Sequence, residues 1–163
     1  MDQKTDVMLK RKQLMNDIFI SVVGIPAAQG SKKHVGRGIL IESSKKVAPW
    51  RQDVREASMK AFNGNPISEP VKIKVIFKFI RPKGHFGTGK NLEKLKPSAP
   101  KYATGHNLGD LDKLLRSTFD GLSVSAGGTV IKDDSLIVQV EAEKRFAMNG
   151  EYAGAEIWVS TLS

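Results

Sequence analysis

Residues 109–135 read GDLDKLLRSTFDGLSVSAGGTVIKDDS, with one acidic pair near each end. Leu111, Leu114, Leu115, Phe119 and Leu122 recur at helical spacing. At about 100° per residue they cover a single arc. Asp112, Lys113, Arg116 and Asp120 cover the opposite arc, with Asp110 at its edge. The spacing predicts an amphipathic helix that starts near Asp110. Gly121 and the Gly127-Gly128 pair follow, and Thr129–Ile131 reads as a short strand leading to Asp133-Asp134. Leu136 to Phe146 reads as a further strand, with Leu136, Val138, Val140 and Ala142 on one face.

The acids in this stretch suggest a chemistry. A hard cation such as Mg2+ takes oxygen ligands, usually one or two carboxylates, and completes its shell with water and substrate phosphate. Asp110 and Asp112 are two residues apart, so both reach one ion where the backbone is just turning into the helix. Asp134 is expected to close the site from the neighbouring segment. Arg116, one turn beyond Asp112, can orient a carboxylate or neutralise charge on a phosphate. The same residues also have an ordinary explanation. Aspartates favour helix N-termini, Asp112 with Arg116 is a common i,i+4 pair, and Asp-Asp-Ser suits a turn. Spacing alone leaves both readings open.

Outward from this stretch, strands alternate with helices. Asp17–Ile25 is apolar on both faces and reads as a central strand ended by Pro26. Ile39–Ile41 with Val35 reads as a short hairpin arm. Pro49 to Phe62 reads as a helix with Pro49 at its first position, and Trp50, Val54, Ala57 and Ala61 form its buried stripe. Val71–Ile80 alternates clearly, with Val71, Ile73, Val75, Phe77 and Phe79 on the core face and Lys72, Lys74 and Lys78 opposite. That lysine face is either wet or covered by something acidic. Residues 81–107, rich in Gly and Pro, read as a long loop. Its Phe86 and Tyr102 either stack on bases or pack the loop onto the domain. His85 and His106 have no partner at metal-ligand spacing. Ala155–Thr161 reads as the last strand. The expected architecture is α+β: one domain over 17–163 with a mixed sheet and helices packed on it, preceded by a tail over 1–16.

Composition narrows the partner. The chain has 163 residues, 26 Lys and Arg against 17 Asp and Glu, and a net charge of +9. Such a balance suggests an acidic partner. Between Gln29 and Lys60, eight basic residues face three acids, a local balance of +5. Lys32, Lys33, Lys45, Lys46 and Arg51 in this span, with Lys113, are the candidate phosphate contacts. The absence of cysteine excludes disulfides, zinc–thiolate sites and a thiol nucleophile. No apolar run approaches the roughly 20 residues of a membrane span, and no signal peptide is visible. The expected location is the cytoplasm.

DLDKLLRSTFDGL, a glycine-containing turn and VIKDDS before a strand together resemble the RusA family of Holliday-junction resolvases. IPAAQGSKK after the first strand, SSKKVAPWR leading into a helix, and RPKGHFGTGK after the long strand are similar to phage and actinobacterial members. The likeness covers about residues 18–160. It implies metal-binding carboxylates at Asp110, Asp112 and Asp134, and a catalytic basic residue at Arg116, where members often carry Lys. Arginine stays protonated and planar, which suits phosphate neutralisation better than proton donation. Many members carry Asn at the position of Lys113, and Asp120 is a further acidic match that helix-surface pairing with Arg116 explains equally well. The resemblance implies a homodimeric endodeoxyribonuclease that uses Mg2+, with Mn2+ as the alternative. Its substrate would be branched DNA, four-way junctions nicked in symmetric pairs, in recombination and repair. The competing readings are a DNA-binding module of the same fold with little cleavage activity, and an unrelated phosphohydrolase acting on small substrates. The last explains the acids but not the basic loops.

Overall fold

Val71, Ile73, Val75, Phe77 and Phe79 are all buried, and the strand they build, β4 (Val71–Phe79), is the pivot of the sheet. The computed structural model describes residue 3 and residues 17–30, 32–34, 36–37, 40–42 and 45–162, the side chains of 32–34 and 40–42 excepted. The expected tail, apart from Gln3, lies outside the described residues, as do Val35 and Ile39 of the expected hairpin arm.

The chain order is β1 (Asp17–Val23), β2 (Lys32–His34), β3 (Leu40–Glu42), α1 (Val47–Ala61), β4, α2 (Leu111–Leu122), β5 (Ile137–Phe146) and β6 (Gly154–Thr161). β4 runs parallel to β5 and antiparallel to β6, and β6 pairs antiparallel with β1. The result is a mixed four-stranded sheet in the order β1-β6-β4-β5. β2 and β3 form a separate antiparallel ribbon, with Lys33 opposite Ile41. The two helices pack on the sheet, making the α+β domain that the sequence suggests.

The core lies between helices and sheet. Trp50, Val54, Leu114 and Leu122 come from the helices, and Ile20, Ile73, Phe77, Ile157 and Val159 from the strands. Trp50 is fully buried and its indole Nε1 donates to Thr118 Oγ1 at 3.1 Å, so the residue is the expected core anchor. The helices meet closely at Gly121, where a Cβ would fall 2.7 Å from Val54 Cγ1. Helix α1 starts two residues earlier than the spacing suggests. Pro49 is therefore its third residue, still in the turn whose N–H groups have no helical partner.

Two expectations need correction. β1 is an edge strand rather than a central one. Its second apolar face stays in solvent, with Phe19 and Val23 exposed, and Phe19 leans on Trp158 at 5.2 Å between ring centroids. Thr129–Ile131 forms no strand. Ile131 makes only single bridges to Ile67 and Ser123, because the segment threads between the end of α2 and Ile67 with no neighbour to extend the ladder. Two of the three lysines opposite the core face of β4 meet acids of the chain itself. Lys78 lies 3.6 Å from Glu151 and 3.5 Å from Glu156, and Lys74 lies 3.7 Å from Glu141.

Candidate active site

The start and first half of α2 are tied to two other parts of the chain. Gly109 has φ +92, a conformation that favours glycine, and a Cβ there would fall 2.6 Å from Ala28 Cβ. The segment leaving β1 is laced along the helix: Gln29 N donates to Lys113 O at 3.0 Å, and Ser117 Oγ donates to Ala27 O at 2.6 Å. From the edge strand β5, Lys144 Nζ donates to the Gly109 carbonyl at 2.7 Å. The backbone that carries the two acids is thus held from the segment after β1 and from strand β5.

Asp110 is the N-cap, with extended backbone (φ −78, ψ 144), yet its carboxylate makes no capping bond. It lies 3.4 Å from Lys113 Nζ, and its side chain is 68% exposed. Asp112 sits in the first turn, exposed, and makes no ion pair among the described residues. The helix dipole stabilises both negative charges here. The pair offers hard oxygen donors on a fixed backbone, a donor set that fits a divalent cation needing one or two carboxylates plus water and phosphate oxygens.

Asp134 stands apart. The 134–136 turn is organised by Asp133, whose carboxylate accepts from Ser135 N at 2.9 Å. Hydrogen bonds from Ser135, and then from Ser125, hold the Asp133 carboxyl down to about 2 from its usual 3.8. Ser125 N also donates to Lys132 O, at 3.2 Å. Ser125 lies just past the C-terminus of α2, so the Asp133-Asp134 turn sits at the far end of that 12-residue helix. A helix of this length spans about 18 Å. Accordingly, no group of three or more His, Asp or Glu side chains among the described residues is gathered to hold a metal ion. One protomer carries Asp110 and Asp112 two residues apart at the start of α2 and exposed Asp134 beyond its far end.

The basic candidates divide. Arg116 is exposed one turn beyond Asp112, with no ion pair to it among the described residues. Lys45 and Lys46 are exposed just before α1, and Lys113 pairs with Asp110. Arg51 is engaged inside the protein: its Nη2 lies 2.7 Å from Asp120 Oδ2 and also donates to Gln29 Oε1. Asp120 is therefore partnered by Arg51 and not by Arg116. Lys32 and Lys33 lie in β2, and their side chains are outside the described residues. His85 packs edge-on against Phe146, with ring centroids 5.5 Å apart, and its Nδ1 lies 3.4 Å from Arg81 Nη1. Phe86 is half-buried and helps line a cavity of about 670 Å3 with Ile80, Leu92, Leu95 and Met148; none of the candidate carboxylates or phosphate contacts lines it. Tyr102 is exposed.

Sequence reasoning missed two residues. Gln29, buried at 5% exposure, joins α2 through its backbone and Arg51 through its side chain. Lys144 was legible: it continues the Val140–Ala142 face of β5, where a charge needs a reason.

A family model described as Endodeoxyribonuclease RusA matches residues 23–159, which takes in both helices, both acidic pairs and strands β2 to β5 complete. In a comparison with curated proteins, none matched. The family consists of endonucleases that act at Holliday junctions and depend on a divalent metal. Among the described residues no helix is long and apolar enough to cross a membrane. The chain belongs to the RusA endodeoxyribonuclease family.

Proposed function

We propose that this chain resolves four-way DNA junctions in recombination and repair by paired symmetric nicks, using Mg2+ or alternatively Mn2+, on cytoplasmic DNA. The observation that carries the reading is the exposed Asp110–Asp112 pair on a helix start tied down from the 27–29 segment and from β5. The chemistry a bound cation supplies is polarisation of the phosphodiester and activation of water. Asp110 and Asp112 would hold it. Arg116 neutralises charge gathering on the phosphate, for which a permanently protonated planar cation is suited. Lys32, Lys33, Lys45, Lys46 and Lys113 follow the DNA backbone. Arg51 contributes more to holding α1 against α2 than to phosphate, because Asp120 and Gln29 already occupy it.

The protein acts as a homodimer in this reading, and each cleavage site takes Asp110 and Asp112 from one protomer and Asp134 from the other. The separation of Asp134 from the pair along α2 supports this. A two-fold dimer then presents two identical sites to two symmetric strands. The same separation is the one observation favouring a binding module with little cleavage. Incubation with a synthetic four-way junction, with and without Mg2+, separates them: paired symmetric nicks support the resolvase, whereas tight binding without product supports the module.

A further inference from the structure

Lys144 is a charged residue on the apolar face of the edge strand β5, near its C-terminal end, where that face passes from exposed Val138 and Val140 to buried Phe146. It sits opposite Phe77, between Ala142 and Phe146 on its own face, and is half-buried. A charge placed there is costly unless something holds it. What holds it is a single neutral acceptor, the Gly109 carbonyl at 2.7 Å. No carboxylate of the described residues pairs with it. An ammonium carries three N–H donors, so this contact leaves two for other oxygens. Its acceptor is the residue immediately before Asp110, in a backbone conformation with φ +92. Gly109 thus depends on Ala28 on one side and Lys144 on the other for its orientation.

We infer that Lys144 is a positioning residue for cleavage. From β5 it pins Gly109, so that Asp110 and Asp112 enter α2 at fixed spacing, and it places a positive charge beside them. This inference rests on the reading of Asp110 and Asp112 as the cleavage carboxylates. A loosened carboxylate pair misplaces the reacting groups, and a misplacement near 1 Å costs about 100-fold in rate.

The test compares Lys144→Met, Lys144→Arg and Asp112→Asn in the full-length protein. Lys144→Met keeps most of the buried stem and removes the donor. It should slow junction cleavage by about 10- to 100-fold while leaving the junction Kd and the melting temperature close to wild type. In the DNA-free, metal-free protein, the amide order parameters of Gly109–Asp112 should fall from about 0.85 towards 0.6. Lys144→Arg, which keeps charge and reach, should recover both rate and order. Should Lys144→Met melt early, Lys144→Gln replaces it in the same measurements. Unchanged order at Gly109–Asp112, or cleavage at the wild-type rate, in the folded variant overturns the inference. Asp112→Asn separates this failure from a deeper one. If Asp112→Asn is inactive while Lys144→Met cuts normally, only Lys144 is misassigned. If Asp112→Asn itself cuts normally, the carboxylate reading has failed and the inference goes with it.

Discussion

Arg51 of α1 and Asp120 of α2 form an ion pair at 2.7 Å, with side chains only 27% and 22% exposed. It ties together the two helices that carry the basic flank and the acidic pair. Removing one partner strands the other in a half-buried site. Asp120→Ala should therefore destabilise the fold by about 1–3 kcal/mol, read from the urea midpoint. Junction cleavage at saturating Mg2+ should stay near the wild-type rate, since Asp120 faces Arg51 and not the Asp110–Asp112 pair. A large loss of cleavage with unchanged stability would place Asp120 in the chemistry instead.

Asp112→Asn should lower cleavage at least about 100-fold and leave junction binding intact or tighter. Removing a negative charge near phosphate does not weaken attraction. Because Asp112 is exposed and unpaired among the described residues, its melting temperature should hardly move. Weaker binding by the variant would contradict this assignment.

Binding should depend steeply on salt. Each phosphate contact contributes a log–log slope of about −0.9 on duplex DNA. The double change of Lys32 and Lys33 to Ala should flatten the slope by about 1.8 if both touch phosphate. Arg51→Ala should change it less, because Asp120 already engages that guanidinium. Equal slopes for wild type and the lysine double variant would remove β2 from the DNA path.

Acid should cost stability in a defined window. Ser135 holds the Asp133 carboxyl at about 2 against a usual 3.8, and Arg145 holds that of Glu151 at about 2 against 4.5. Both folded values lie below the unfolded ones. Their contribution is thus complete above about pH 4.5 and is lost as pH falls towards 2. Glu151→Gln should flatten the stability profile across that range, measured by urea unfolding from pH 7 to pH 2. An unchanged acid limb would show that the Arg145–Glu151 pair, at 2.7 Å in the structure, contributes nothing in solution.

Much of the framework was legible because the chain is locally consistent. β4 alternates cleanly, and α2 carries its apolar residues on one arc, so both elements and the core position of Trp50 could be read directly. β1 misled because apolar residues on both faces normally mean burial on both. Here Phe19 instead finds Trp158 on the outer face of an edge strand. The acids were visible as residue types, but not their separation. Nothing local in VIKDDS says that α2 runs back along the sheet and carries Asp134 away from Asp110. That depends on the Ser125–Lys132 bond and on the parallel pairing of β4 and β5. Gln29 could not be found from sequence, since its role exists only once α1 and α2 are packed.

The shared-site dimer is tested most directly by mixing two inactive chains. Asp112→Asn and Asp134→Asn protomers, carried on distinguishable tags, are assembled into mixed dimers and given a supercoiled cruciform plasmid in Mg2+. Each variant alone should leave the plasmid uncut, and wild type should linearise it. In the mixed dimer, one site collects both substitutions, while the other joins intact Asp110 and Asp112 to an intact Asp134. Nicked circles are expected from the mixed dimer, with little linear product. An uncut plasmid from the mixed dimer, with both parents inactive and wild type active, would place all three aspartates in one protomer and contradict the shared-site dimer.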